Sequence, residues 1–148
     1  MEFMMIETIE KLTGSDLNQV LEVWLKGNFD GHPFVDQSVW LHALPQVRQM
    51  LTGFTVVVHR NQSGTIDGFL GCEAGNIEGL FVLPASQHQG VGSALLDTVK
   101  EQHPSLTLHV YEKNERAVQF YRRANFLMQS RGIDPLTGEA DLTMHWQR

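Results

Sequence analysis

This 148-residue sequence predicts an α/β fold of the α+β kind: about four helices packed on a mixed, mostly antiparallel sheet of about seven strands. Three observations carry that reading. Apolar residues recur at helical spacing until Leu51 and switch to β-branched strand patterning at Thr55. The apolar run Ile77 to Leu83, a helical stretch and the alternating run Leu106 to Val110 form a strand–helix–strand unit within the surrounding hairpins. Finally, the turn Asp134-Pro135-Leu136-Thr137-Gly138 joins two closing strands.

Taken in order, Met5 to Lys11 alternates imperfectly and suits a first strand. Ser15-Asp16 offers an N-cap for a helix carrying Leu17, Val20, Leu21, Trp24 and Leu25 on one face, and Gly27 to Pro33 is expected to break it. A second helix starts near Asp36, with Trp40, Leu44, Val47 and Leu51 on one side. Pro45, which lacks a donor N–H, should kink or split it. Thr55 to His59 and Thr65 to Glu73 read as a hairpin around Asn61-Gln62-Ser63-Gly64. Ile77 to Leu83 reads as a central strand covered on both faces, with Gly79 a candidate bulge. Gly90 to Gln102 and Asn114 to Ala124 read as helices on either side of the strand Leu106 to Val110, and Phe126 to Arg131 pairs with Asp141 to Gln147. The chain has no repeats or linkers, which points to one domain over 1–148. Met1-Glu2-Phe3, ahead of a second Met-Met start, is set aside as an expression-derived extension.

Composition narrows the function classes. A formal charge of −6 argues against nucleic-acid binding, which needs a basic stripe; it suits an encounter with a cationic amine, although a solvated acidic surface that aids solubility is the commoner reason for such a charge. The lone Cys72 follows an apolar stretch and reads as a buried, inert thiol. No apolar run is long enough to span a membrane and no signal-peptide pattern is present, so a cytoplasmic location is expected. His42, His103 and His145 lack metal-ligand spacing, and no metal is expected.

The segment that carries chemistry runs from Val82 to Ser93. A buried strand ends, a short loop turns, and a helix opens at Gly90-Val91-Gly92. First-turn amides of a helix are free, the helix dipole adds positive potential there, and glycines admit an anion close to the backbone. Such a turn holds a phosphate or pyrophosphate. The Gly-Lys-Ser/Thr ending of a nucleoside-triphosphate loop is missing, and so is the third glycine of a dinucleotide fingerprint.

Gln87-x-x-Gly90-x-Gly92, preceded by Leu80-x-Val82-x-Pro84, resembles the acetyl-CoA motif R/Q-x-x-G-x-G/A of the GNAT N-acetyltransferase superfamily. Asn114-x-x-Ala117-x-x-Phe120-Tyr121, ending at Asn125-Phe126, resembles that family's second motif, N-x-x-A-x-x-F-Y-x-x-x-G-F. The resemblance implies the GNAT fold, a sheet splayed between the strands ending at Val82 and Val110, and acetyl-CoA as co-substrate. It also implies a pantetheine arm paired with Leu80, Phe81 and Val82, a pyrophosphate cradle at Gln87, His88, Gln89, Gly90, Val91, Gly92 and Ser93, Asn114 on the arm, and Tyr121 beside the thioester sulfur. The sequence departs from the family in three places. Its loop lacks the usual Arg or Lys, leaving Lys113, Arg116, Arg122 and Arg123 as candidates for the 3′-phosphate. Asn125 replaces a glycine, which asparagine can do in the left-handed region. His109 stands where relatives often place a glutamate base.

The reaction implied is direct transfer of the acetyl group to a primary amine in a ternary complex, with no acyl-enzyme. An alkylammonium of pKa near 10.4 must lose a proton first. Glu78, His109 and a water chain to bulk solvent are the candidate bases, and Tyr121 is the candidate acid for the departing thiolate. His32 and Phe34, in the break between the first two helices, are read as walls of the acceptor site, with His32 a remote candidate for proton transfer. A protein lysine is the first acceptor to expect. A polyamine, amino acid or aminoglycoside is the alternative within the class, and an acetyl-CoA sensor without turnover the alternative outside it. Monomer and homodimer both remain open.

Overall fold

The computed structural model describes residues 5–148, so Met1-Glu2-Phe3 lies outside the described residues. The elements follow the order β1 (Met5–Ile9), α1 (Gly14–Gly31), α2 (Gln37–Leu51), β2 (Thr55–Arg60), β3 (Ile66–Glu73), β4 (Asn76–Val82), α3 (Val91–Gln102), β5 (Ser105–Tyr111), α4 (Glu115–Arg123), β6 (Leu127–Ile133) and β7 (Ala140–Gln147). They build one seven-stranded sheet in the order β1-β2-β3-β4-β5-β7-β6. Every pairing is antiparallel except β4 with β5.

Two apolar layers sandwich the sheet. On one face α1 and α2 cover Val56, Val58, Ile66 and Phe69 with Leu17, Val20, Val23 and Leu51. On the other, α3 and α4 cover Val57, Leu70, Leu108, Leu142 and Met144 with Val91, Leu95, Val99, Val118 and Tyr121. Alternating residues of β2 thus go to opposite layers, as the pleat requires. Among the described residues no helix is long and apolar enough to cross a membrane.

The β4–β5 junction positions the site. These strands pair only at Asn76↔Thr107 and Ile77↔Leu108 and then part. The separation coincides with a bulge: Gly71 faces Gly79 but Cys72 faces Ile77, so Glu78 is an extra residue in β4. A bulge bends its strand and sharpens the local twist. Past Ile77, the β4 edge toward β5 has no strand partner.

Three local expectations are corrected. Gly27 does not end the first helix, which continues to Gly31. Its missing side chain instead admits the Phe81 ring of β4, which would lie 2.6 Å from a Cβ at that position. Gly27→Ala is therefore expected to lower the thermal unfolding midpoint. Overpacking costs about 1–3 kcal/mol, and alanine's better helix propensity offsets at most about 1 kcal/mol. The first helix also begins earlier than the Ser15-Asp16 cap, at Gly14 after an extended Thr13. Pro45 leaves α2 unsplit. The carbonyl it deprives of a partner belongs to Leu41, on the exposed side of the helix, where water can serve it. Asn125 does adopt the left-handed region, at φ 70°, just past the end of α4.

Candidate active site

The gap between β4 and β5 opens into two connected cavities. The larger, about 670 Å³, runs along Leu80, Phe81 and Val82 to the α3 N-terminus and the inner side of α4. The smaller, about 250 Å³, lies under α1 and α2 on the far side of β4. Six residues line both: His32, Leu80, Phe81, Asn114, Ala117 and Tyr121. They mark the seam where two reactants can meet.

At one end of the larger cavity lies the uncapped N-terminus of α3, a geometry that suits an anion. Gly90 is the N-cap of α3 at φ 82°, and no side chain caps the helix, so its first-turn amides carry no cap. His88, at φ 63°, adds a second left-handed residue to the loop. A Cβ at Gly92 would meet the Phe120 ring of α4 at 3.5 Å and Val82 of β4 at 4.0 Å, so the glycine lets α3 lie close to both. Gln87, His88, Gly90, Val91, Gly92 and Ser93 all line the cavity. Gln89 does not: its amide donates to the Ala85 carbonyl at 3.4 Å. Of the four cations singled out in the sequence, Arg116 and Arg123 line this cavity. Lys113 pairs instead with Glu139 at 3.0 Å and lies over the Phe34 ring. Asp30 bridges the mouth, accepting from Gln87 Nε2 at 3.1 Å and from Arg116 at 3.4 Å.

Tyr121 is buried at the seam between Phe120 and Phe126, with ring centroids 5.2 and 5.5 Å away. Burial pushes its phenol well above the usual value, so the hydroxyl keeps its proton. A neutral donor is what a departing thiolate requires.

The smaller cavity is aromatic on one side and acidic on the other. Trp24, Trp40, His32, Phe81 and Tyr111 form one wall; Glu78, Asp134 and Asp141 stand on the other with His109. Burial and the neighbouring Glu73 raise the Glu78 carboxyl, while His109 opposes that rise. His109 is largely exposed; its Nδ1 lies 3.1 Å from Thr143 Oγ1 and 3.8 Å from Asp141. Tyr111 donates to Asp134, fixing that carboxylate at the pocket edge. Trp40 Nε1 is buried in the wall without a hydrogen-bond partner among the described residues. Phe34 lines neither cavity but buttresses the wall from behind, 5.7 Å from the His32 ring and 5.8 Å from Tyr111.

His32 closes the seam. Its ring is buried, and loss of solvation lowers its pKa to about 4. Nδ1 meets Asn28 Oδ1 at 2.9 Å, and Nε2 meets Asn114 Nδ2 at 3.2 Å. Sequence reasoning missed Asn28, although a buried asparagine on the apolar stripe of α1, four residues before His32, is a legible anomaly.

A slot between parted strands, an uncapped helix start and a buried phenol between two cavities give room for two reactants to meet, and comparison with known proteins supplies the family. Residues 50–126 match the acetyltransferase (GNAT) domain, and the chain belongs to that family of N-acetyltransferases. It is 33% identical to the peptidyl-lysine N-acetyltransferase YiaC of Escherichia coli K12 over 80% of this chain and 82% of that one. Identity to the peptidyl-lysine N-acetyltransferase YjaB of the same organism is 26% over 89% of this chain and 90% of that protein. The solution structure of apo YjaB from Escherichia coli superposes with a TM-score of 0.82 at 24% identity, covering 97% of this chain and 98% of the other.

Proposed function

We propose that this N-acetyltransferase transfers the acetyl group of acetyl-CoA directly to a primary amine, with a lysine side chain of a protein as the acceptor. The single observation that carries this reading is the seam. The cavity that begins at the uncapped α3 amides and the cavity walled by aromatic rings and carboxylates share Tyr121 and the free edge of β4. In this reading the β4 edge at Leu80, Phe81 and Val82 pairs with the pantetheine arm. Amides from Gly90 to Ser93, with Gln87 and His88, cradle the pyrophosphate. Arg116 and Arg123 answer the remaining phosphate charge, and Asn114 borders the arm.

The smaller cavity suits an unbranched alkylammonium: rings flank the stem and carboxylates draw the cation. The names of YiaC and YjaB point the same way.

Glu78 takes a proton from the ammonium, helped by the burial and the neighbouring Glu73 that raise its carboxyl pKa, with His109 the other candidate base beside it. The neutral amine attacks the thioester carbon, and an unpaired N–H on the parted β4 edge faces the developing oxyanion. As the C–S bond breaks, Tyr121 protonates the thiolate and regains a proton from the nascent amide nitrogen. The products are coenzyme A thiol and the N-acetyl amide, with one proton left on Glu78 for solvent.

The test is thiol release from acetyl-CoA over lysine peptides, spermidine, free amino acids and an aminoglycoside, alongside calorimetric titration of acetyl-CoA. Lysine peptides are expected to turn over fastest, with acetyl-CoA binding in the micromolar range. Binding without thiol release from any amine would make the protein a sensor, and absence of binding would sink the whole reading.

A further inference from the structure

The groups around His32 fix more than its position. Asn28 Nδ2 donates to the Trp24 carbonyl at 2.9 Å, so the amide can present only Oδ1 to the imidazole. Nδ1 of His32 must therefore carry the hydrogen in that 2.9 Å contact. On the other side Asn114 Oδ1 accepts the Ala117 N–H at 3.3 Å as the N-cap of α4, so the group it turns toward His32 is its NH₂. Nε2 is then an unprotonated acceptor whose lone pair receives the Asn114 N–H. Two amides, each oriented by main chain, select one tautomer of one histidine.

We propose that His32, clamped by Asn28 and Asn114 as the neutral Nδ1–H tautomer, orients the acceptor amine: its Nε2 lone pair exchanges the Asn114 N–H for an N–H of the amine. This inference rests on reading the smaller cavity as the acceptor site. Donating one N–H to Nε2 directs the amine's own lone pair away from the imidazole and toward the shared seam, where Tyr121 stands. Asn114 borders both cavities, so the exchange links occupation of the larger one to reception of the amine in the smaller.

The magnitudes separate this role from that of a base. An imidazole of pKa about 4 lies far below an alkylammonium of pKa near 10.4, so full proton transfer to it runs strongly uphill. A hydrogen bond carries no such cost. The titratable groups around the cavity are Glu78 from β4, His109 and Tyr111 from β5, Tyr121 from α4, and Asp134 and Asp141 from β6–β7; Asp30 lies on α1 itself. Phe34, Trp40 and Phe81 pack against the ring as apolar neighbours, and burial rather than any of these charges is what lowers its pKa.

Two measurements test the proposal. The first is imidazole ¹⁵N–¹H correlation NMR of the full chain with coenzyme A bound. At pH 7 His32 is expected to show a protonated Nδ1 and a bare Nε2, and titration with propylamine should shift the Nε2 resonance. An Nε2–H tautomer, an imidazolium, or an Nε2 indifferent to propylamine would overturn the assignment. The second uses Asn28→Asp, whose carboxylate favours the imidazolium, with circular dichroism to check folding. The ratio of variant to wild-type kcat/KM for a lysine peptide should fall about tenfold per pH unit below the raised pKa, with KM for acetyl-CoA unchanged. A ratio flat from pH 8 to 5.5 would overturn the proposal. Should no amine be a substrate, the tautomer signal still stands or falls by itself, which separates failure here from failure of the acceptor-site reading.

Discussion

Tyr121→Phe is expected to lower kcat about 10²-fold, in line with the usual contribution of a positioned acid, while acetyl-CoA affinity changes little. The tyrosine is buried against Phe120 and Phe126 in an apolar layer, so removing one oxygen leaves its packing intact. The loss is therefore chemical. Without the phenol, coenzyme A must depart as a bare thiolate in a water-poor cleft. Because the deep burial that raises the phenol pKa keeps it protonated through pH 9, the wild-type rate should show no alkaline limb from Tyr121 below that pH. Pre-steady-state thiol release measures the step, and calorimetry of the variant measures binding. Equal rates would show that the thiolate leaves without help.

Gly90→Val should abolish measurable acetyl-CoA binding in the same titration. Two effects add. Gly90 sits at φ 82°, where a β-branched side chain is strained by about 1–2 kcal/mol. The new methyl groups would also stand at the helix start, where the first-turn amides must approach an anion without obstruction. Far-ultraviolet circular dichroism separates loss of the cradle from loss of the fold. Affinity within threefold of wild type, in a folded variant, would remove the α3 N-terminus from the binding site.

The order of elements was readable because each has its own period, and because Pro84, Asn114 and the Asp134–Gly138 turn punctuate them sharply. The strand end, loop and uncapped helix start at Val82 to Ser93 were readable too, since they lie within a dozen residues. The smaller cavity is different. Its wall draws on α1, α2, β4, β5 and the region between β6 and β7, so no spacing along the chain announces it. Trp24 and Trp40 read as core because their helical spacing is that of core residues, and Asp134 read as turn chemistry. Gly27 was misread for a related reason. Its poor helix propensity is a local property, whereas the Phe81 ring that requires it arrives from β4. Gln89 carried a motif position in sequence but turns back to its own loop. Phe34 supports the acceptor wall without lining it.

The parted strands have a mechanical consequence. Only two residue pairs of main-chain ladder tie β1–β4 to the β5–β7–β6 half of the sheet, and the rest of the seam is held by side chains and overlying helices. A ligand arm laid along the free edge of β4 adds rungs that the polypeptide itself omits, so it behaves as a removable strand. By linkage, a ligand at a hundred times its dissociation constant adds about 2.7 kcal/mol to the folded state. With an acyl donor on that edge, the middle of this molecule would be tied by more rungs than the chain alone supplies.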